Sequence, residues 1–164
     1  MGRPAMTEPD WEQWAPTESA ALCFVIKNKK ILLIHKKSGL GEGKVNGPGG
    51  RIEEGESPLQ AAERETLEET GLLPSGLKEA GQLFFQFSDG FKLHCTVFTA
   101  RSAEGRMIET DEAVPFWEKA SLIPFERMWA DDKLWIPWML AGKPFRGYFC
   151  FDGDRMLSGR VIAP

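Results

Sequence analysis

Gly50–Leu72 reads GRIEEGESPLQAAERETLEETGL, a loop that runs into a helix with well-marked ends. Ser57 suits the N-cap, Pro58 the first helical position, and Gln60 stands three residues after Ser57, as a capping box requires. Gly71 suits the left-handed residue that closes a helix. The spacing predicts a helix over 58–70. At about 100° per residue, Leu59, Ala62, Thr66 and Thr70 form one stripe, expected to face the core. Glu65, Glu68 and Glu69 converge on another arc, beside small Ala61. Like charges at this spacing cost roughly 0.2–0.5 kcal/mol per pair in an isolated helix. Two readings follow: a solvated acidic face, or a seat for a hard divalent cation. Magnesium prefers carboxylate oxygens, keeps several waters and is shared with substrate phosphates. Gly47, Gly49 and Gly50 let the backbone bend sharply and approach a ligand closely.

Charge singles out the same segment. The net charge is −4, yet Glu53–Glu69 holds seven glutamates against one arginine, so the rest of the chain is slightly basic. No basic footprint for a nucleic-acid polymer remains. The 164 residues, 42% apolar and 27% charged, suit one globular domain, expected over 18–164 behind an irregular arm over 1–17. Trp11 and Trp14 are the arm's large apolar groups and are expected to lie on the body. No apolar run is long enough to span a membrane. Met1–Met6 has neither an apolar signal core nor Ser or Thr at position 6, so the expected location is the cytoplasm. Cys23, Cys95 and Cys150 sit in apolar runs and read as buried, reduced thiols.

Around the helix the chain reads mainly as strands. Ala21–Ile26 and Ile31–His35 flank a turn at Lys27–Lys30. Gln82–Phe87 and Phe91–Ala100 flank Ser88-Asp89-Gly90, and Ala113–Trp117 is a further short strand. Gly147–Phe151 and Met156–Ile162 flank Asp152-Gly153-Asp154, a strong hairpin signal. Gly39–Gly50, with six glycines, reads as a loop throughout. A second helix is expected near 135–141. Sheet with segregated helices is an α+β class. His35 and His94 fall in strands and read as packing residues.

The spacing across Gly50–Leu72 resembles the Nudix box, G-x5-E-x7-R-E-U-x-E-E-x-G-U, where U is aliphatic. Gly50, Glu56, Arg64, Glu65, Glu68, Glu69, Gly71 and Leu72 match it, and Thr66 departs at one aliphatic position. The resemblance implies an α/β/α sandwich around a mixed sheet and hydrolysis of a nucleoside diphosphate linked to another group. It also implies Mg2+, with Mn2+ as a substitute, held by Glu65, Glu68 and Glu69 with Gly49. Arg64 would pair with Glu56 and orient the loop. Either Glu68 or Glu69 could instead serve partly as base. Glu112, in a loop before a strand, is a further ligand or base, or simply an exposed acid.

Beyond the box, Ala21–Phe151 is similar to the oxidised-purine nucleoside triphosphatase branch of that family. The anchors are KKSGLGEGKVNGPGG (Lys36–Gly50), GQLFFQF (Gly81–Phe87), IPFERMWADDKLWIPWML (Ile123–Leu140) and FRGYFCF (Phe145–Phe151). This resemblance implies a base pocket built from Asn46, Trp129, Asp131 and Asp132, with Lys36 also binding substrate. Chemistry allows the same reading. An indole stacks a base, for roughly 1–3 kcal/mol, and adjacent acids can accept from a guanine-type edge. Two close carboxylates resist double ionisation, so one can keep a proton and donate. The rival reading makes Asp131 or Asp132 a helix N-cap and Trp129 a core residue. Phe85 and Phe87 either line the pocket or are plain core. Leu40 and Val45 stand where the branch has aromatic residues, and Ala21 where it has threonine, implying one stacking surface and one polar contact fewer.

The expected activity is therefore conversion of oxidised purine nucleoside triphosphates, such as 8-oxo-dGTP and 2-oxo-dATP, to the monophosphate and pyrophosphate. The chain would act as a monomer on a small nucleotide, with no nucleic-acid polymer or membrane partner. The alternatives are a methylated purine nucleotide, an RNA 5′ triphosphate, or a binding module without turnover. Against ADP-ribose and dinucleoside polyphosphates stand the lack of proline over 75–114 and of any tyrosine but Tyr148.

Overall fold

A computed structural model describes residues 6–164. The first five residues of the expected arm, and the reading of Met1–Ala5, lie outside the described residues. The elements are β1 (Glu18–Lys27), β2 (Lys30–Lys36), β3 (Val45–Asn46), β4 (Gly49–Arg51), α1 (Pro58–Thr70), β5 (Leu72–Ser75) and β6 (Lys78–Phe87). There follow β7 (Lys92–Ala100), β8 (Ser102–Gly105), β9 (Ala113–Lys119), α2 (Asp132–Leu140), β10 (Phe145–Asp152) and β11 (Arg155–Ile162). The main sheet runs β11-β10-β6-β7-β1-β2-β3, with β4 added on β1 and β9 on β2. The β1–β7 and β6–β10 pairs are parallel and the others antiparallel, so the sheet is mixed.

The central strand explains the layering. Side chains alternate across a strand. Ala21, Cys23 and Val25 of β1 therefore pack with Leu32, Ala61 and Ala62 beneath α1, while Phe24 packs with Trp135, Ile136 and Met139 beneath α2. Helices thus cover two faces of a mixed sheet, the expected α/β/α arrangement. One edge of β1 is divided. Ala20–Leu22 pair with Arg51–Gly49, and Ile26–Lys27 pair with Ile31–Lys30 across a turn where Asn28 and Lys29 take φ of 54° and 62°. Two left-handed residues match the twist of a two-residue hairpin. Between these pairings, Cys23 N–H donates to Pro48 O at 2.8 Å.

Several expectations need correction. Gly39–Gly50 is not loop throughout, because β3 and the start of β4 lie within it. The open edges of β1 and β2 recruit its backbone, a pairing that side-chain patterns do not announce. The small sheet β5–β8 was also not foreseen. It joins LLPS, which contains a proline, to the polar SAEG. The second helix begins at Asp132, and contains Pro137. Helix α1 has the expected ends: Ser57 Oγ accepts from Gln60 N–H, Gln60 Oε1 accepts from Ser57 N–H, and Gly71 has φ of 79°. Its buried face is turned toward the acids, however. Ala61, Ala62, Thr66, Glu69 and Thr70 are buried, while Leu59, in the first turn, is 39% exposed.

Residues 6–17 pass along β6, β10 and β11. Trp14 Nε1–H donates to Gln86 Oε1 at 3.0 Å and its ring meets Phe84 edge-on, while Trp11 lies 5.2 Å from Tyr148. Glu8 accepts from Trp11 and pairs with Arg160. His35 stacks on Phe116 and His94 on Phe84, and all three cysteines are buried and free. Among the described residues, no helix is long and apolar enough to cross a membrane.

Candidate active site

Rotation of α1 divides the three box acids. Glu69 is only 2% exposed, and its Oε1 accepts from Gly49 N–H at 2.8 Å. Glu65 is largely covered, and Glu112 comes in from the loop before β9. Oxygens of Glu65, Glu69 and Glu112 all lie within 4.8 Å of one another. Glu68 does not belong to this group. It sits on the helix edge, half exposed, with Oε2 3.3 Å from Arg64 Nη1. Of the four expected acids, the structure thus brings together two from the helix and Glu112 from the loop.

Two glycines make room for the cluster. A Cβ on Gly50 would lie 2.5 Å from Glu65 Cδ, and one on Gly49 would lie 2.2 Å from Ala21 O. Both positions need a missing side chain because of close approach, the reason glycine is used there. Arg64 holds the loop from the other side. Its Nε and Nη2 donate to the two oxygens of Glu56 at 2.7 and 2.9 Å, Nη2 also donates to Arg51 O, and Nη1 donates to Glu65. This fork on a carboxylate is the strong form of the ion pair. It holds the Glu56 carboxyl down at about 2 and pushes the guanidinium further up.

The cluster itself is short of positive charge. Burial first, then the neighbouring carboxylates of Glu65 and Glu112, push Glu69 up to about 8, against the Gly49 N–H and the charge of Lys36. Glu65 is also raised, chiefly by burial. Hard oxygens crowded together, with the Arg64 guanidinium on Glu65 as their direct ion pair, suit a divalent cation, so the donor set fits the expected metal.

Beside the cluster opens a cavity of about 260 Å3. Gly49, Gly50 and Lys36 belong to its wall, so it adjoins the acid site, where Gly49 bonds Glu69 and Gly50 lies against Glu65. Asn46, Phe85, Phe87, Trp129, Asp131 and Asp132 also line it. Trp129 is wedged edge-on between Phe87 and Phe151, with Lys44 Nζ 5.4 Å from its ring. Asp131 Oδ2 accepts from Trp135 Nε1–H at 2.8 Å. The N-cap reading is overturned: Asp131 occupies that position, but its side chain makes no capping bond. Asp131 Oδ1 and Asp132 Oδ2 are buried without a hydrogen-bond partner among the described residues. Burial, and for Asp132 also the adjacent Asp131, raise both carboxyls, so this pair retains a proton where ordinary carboxyls have lost theirs.

Of the three departures from the resembled branch, only Leu40 lines the cavity. Ala21 and Val45 are buried in the core and do not. Sequence reasoning missed Leu22, Leu83 and Cys95 in the cavity wall. Leu83 shares the alternation of Phe85 and Phe87 and could have been found that way. Cys95 enters through its pairing with Leu83, a register no local pattern reveals.

A family model described as NUDIX domain matches residues 16–139. An oxidized purine nucleoside triphosphate hydrolase of Danio rerio is 45% identical over 137 residues, which is 83% of this chain and 88% of that protein. Its counterpart in Mus musculus is 39% identical over 139 residues, 84% and 89% respectively. A MutT protein from Bacillus halodurans superposes with a TM-score of 0.78 at 28% identity, covering 88% of this chain and 97% of that one.

Proposed function

The chain belongs to the NUDIX domain family, and we propose that it is a hydrolase that converts oxidised purine nucleoside triphosphates to the monophosphate and pyrophosphate. The observation that carries this reading is the cavity wall. Two buried carboxylates, each with an unpartnered oxygen, stand in a base-sized cavity that opens onto the acid cluster. The names of the fish and mouse relatives supply the same substrate class.

On this reading the base slides between Trp129 and the Phe85 wall. Asp131 and Asp132 take its edge, the ionised carboxyl accepting from N1–H and the amino group, the neutral one donating to a ring carbonyl. Asn46 adds a donor and an acceptor. Lys36 faces the phosphates at the mouth. Glu65, Glu69 and Glu112 would hold Mg2+, or Mn2+ in its place, with Gly49 beside them and Arg64 bracing the loop through Glu56. When bound, the metal would screen phosphate charge, lower the pKa of a water and stabilise the leaving oxygen. With a cation bound, Glu69 would be held ionised, and Glu112, open to solvent, would take a proton from the attacking water. We place the protein in the cytoplasm, acting on free nucleotides.

The test is pyrophosphate release by purified protein with Mg2+ across a panel of normal and modified nucleotides. We expect kcat/KM for 8-oxo-dGTP or 2-oxo-dATP at least roughly tenfold above dGTP and dATP, about one good base contact. Activity on both oxidised substrates no better than on their normal counterparts would reject the assignment. A methylated purine or RNA 5′ triphosphate in first place would move it.

A further inference from the structure

We propose that Lys37 is the positioning residue that sets Glu112 into the acid cluster. This rests on the reading that Glu112 helps to hold the cation. Glu65 and Glu69 ride on α1 and are tied by Arg64 and by Gly49 N–H. Glu112 has no such support: it is exposed, and no hydrogen bond to its carboxylate is found among the described residues. It also stands within 4.8 Å of two other carboxylates that repel it. Its backbone must therefore keep it there.

The backbone is held by one side chain and one turn. Thr110 N–H donates to Ala113 O at 2.9 Å, and Thr110 Oγ1 accepts from the N–H groups of Glu112 and Ala113. That turn closes only on itself. Lys37 ties it to the sheet at three points. Its backbone N–H donates to Glu112 O at 2.9 Å, one step past the last β2–β9 pair, Lys36 with Ala113. Its Nζ donates to Thr110 O at 2.9 Å and pairs with Glu109 at 2.8 Å. Alternation along the strand explains the division of labour. Lys36 turns into the cavity, and Lys37 turns to the loop. The ion pair is itself exposed and so contributes little to stability. Its location across the base of the Glu112 turn is what gives it a use.

Calorimetric titration of nucleotide-free protein with Mn2+ alone tests this, using wild type, Lys37→Met, Lys37→Arg, Glu112→Gln and the double variant Lys37→Met/Glu112→Gln. Lys37→Met should weaken Mn2+ binding on the order of tenfold, the low end for a lost outer support of a metal ligand. Its unfolding midpoint should move by no more than about 2 °C, as for other exposed positions. Lys37→Arg, which can still reach Thr110 O, should restore binding. On the Glu112→Gln background Lys37→Met should have no further effect. In turnover, Lys37→Met should raise the half-saturating metal concentration and lower kcat, and Lys37→Arg should restore both. Two results overturn the proposal: Lys37→Met binding Mn2+ like wild type while Glu112→Gln binds weakly, or Lys37→Met weakening binding equally on both backgrounds. Wild-type binding by Glu112→Gln would instead remove the underlying reading of Glu112.

Discussion

Replacing Glu69 by Gln removes a charge from the buried face of α1 and keeps an oxygen to accept from Gly49 N–H, now at 2.8 Å. Burial pushes the wild-type carboxyl from the ordinary 4.5 up to about 8. Below pH 4.5 folded and unfolded chains both carry the proton, and the group costs nothing. Between pH 4.5 and about 8 the folded chain keeps the proton while the unfolded chain releases it. Stability therefore falls as pH rises, by about 1.4 kcal/mol per pH unit, and levels off above the folded value. The ceiling is ~5 kcal/mol, and relaxation of the site should leave roughly 2–4 kcal/mol. Urea unfolding in EDTA at pH 5, 7 and 9 measures it. Glu69→Gln should match wild type at pH 5 and exceed it by that amount at pH 9. Mg2+ at about 100 times its dissociation constant should return ~2.7 kcal/mol to wild type and nothing to the variant. Turnover by the variant should fall roughly a hundredfold or more. Stabilities that run parallel from pH 5 to 9, within about 0.5 kcal/mol, would refute the claim that Glu69 is held against its own ionisation.

Four further outcomes are expected. Glu68→Gln should retain metal affinity within about threefold of wild type by Mn2+ titration, because Glu68 stands on the exposed edge, outside the cluster. Gly50→Ala should lower kcat roughly a hundredfold in the pyrophosphate assay, since its Cβ would meet Glu65 Cδ at 2.5 Å and displace that carboxylate; its urea midpoint should show a loss of ~1–3 kcal/mol. Asp132→Asn should change the ranking of bases in kcat/KM and leave kcat on saturating substrate nearly intact; equal losses on every nucleotide would count against the base-edge role. Trp14→Ala removes the edge contact with Phe84 and the bond to Gln86; it should lower unfolding free energy by ~1–3 kcal/mol and leave kcat/KM unchanged.

Local chemistry was legible wherever the chain itself terminates or repeats an element. Ser57, Gln60 and Gly71 marked both ends of α1 because caps are local hydrogen bonds. The alternation in Gln82–Phe87 marked a strand, although it left open whether Phe85 and Phe87 face a pocket or the core. What was not legible depends on partners distant in sequence. Gly49–Arg51 becomes a strand because β1 has an open edge there. Leu59 lies in the apolar arc of α1 yet faces solvent, because an angle gives direction without saying what is met. Glu68 and Glu69 are neighbours in the box with the same side chain, but one is half exposed and the other 2% exposed. Helical periodicity places them about 100° apart, and only the packing of α1 decides which of them enters the site. The run Trp129–Asp132 left a pocket and a helix N-cap both open, and only the fold shows that the Asp131 side chain makes no capping bond.

On the proposed reading, the segment Val45–Arg51 links recognition to chemistry. Asn46 is fixed by pairing with Ile34 of β2, and Gly49 by pairing with Leu22 of β1. Gly47 and Pro48 join them, and Pro48 O is itself bound by Cys23 N–H. Three peptide steps span at most about 11 Å, and both ends are anchored to the sheet. The spacing between a base held at Asn46 and a cation held at Glu69 would thereby be set by strands. A base that seats poorly against Asp131 and Asp132 cannot recover by sliding, because its phosphates would leave the acid cluster. Selectivity in the cavity would in this way become selectivity in turnover.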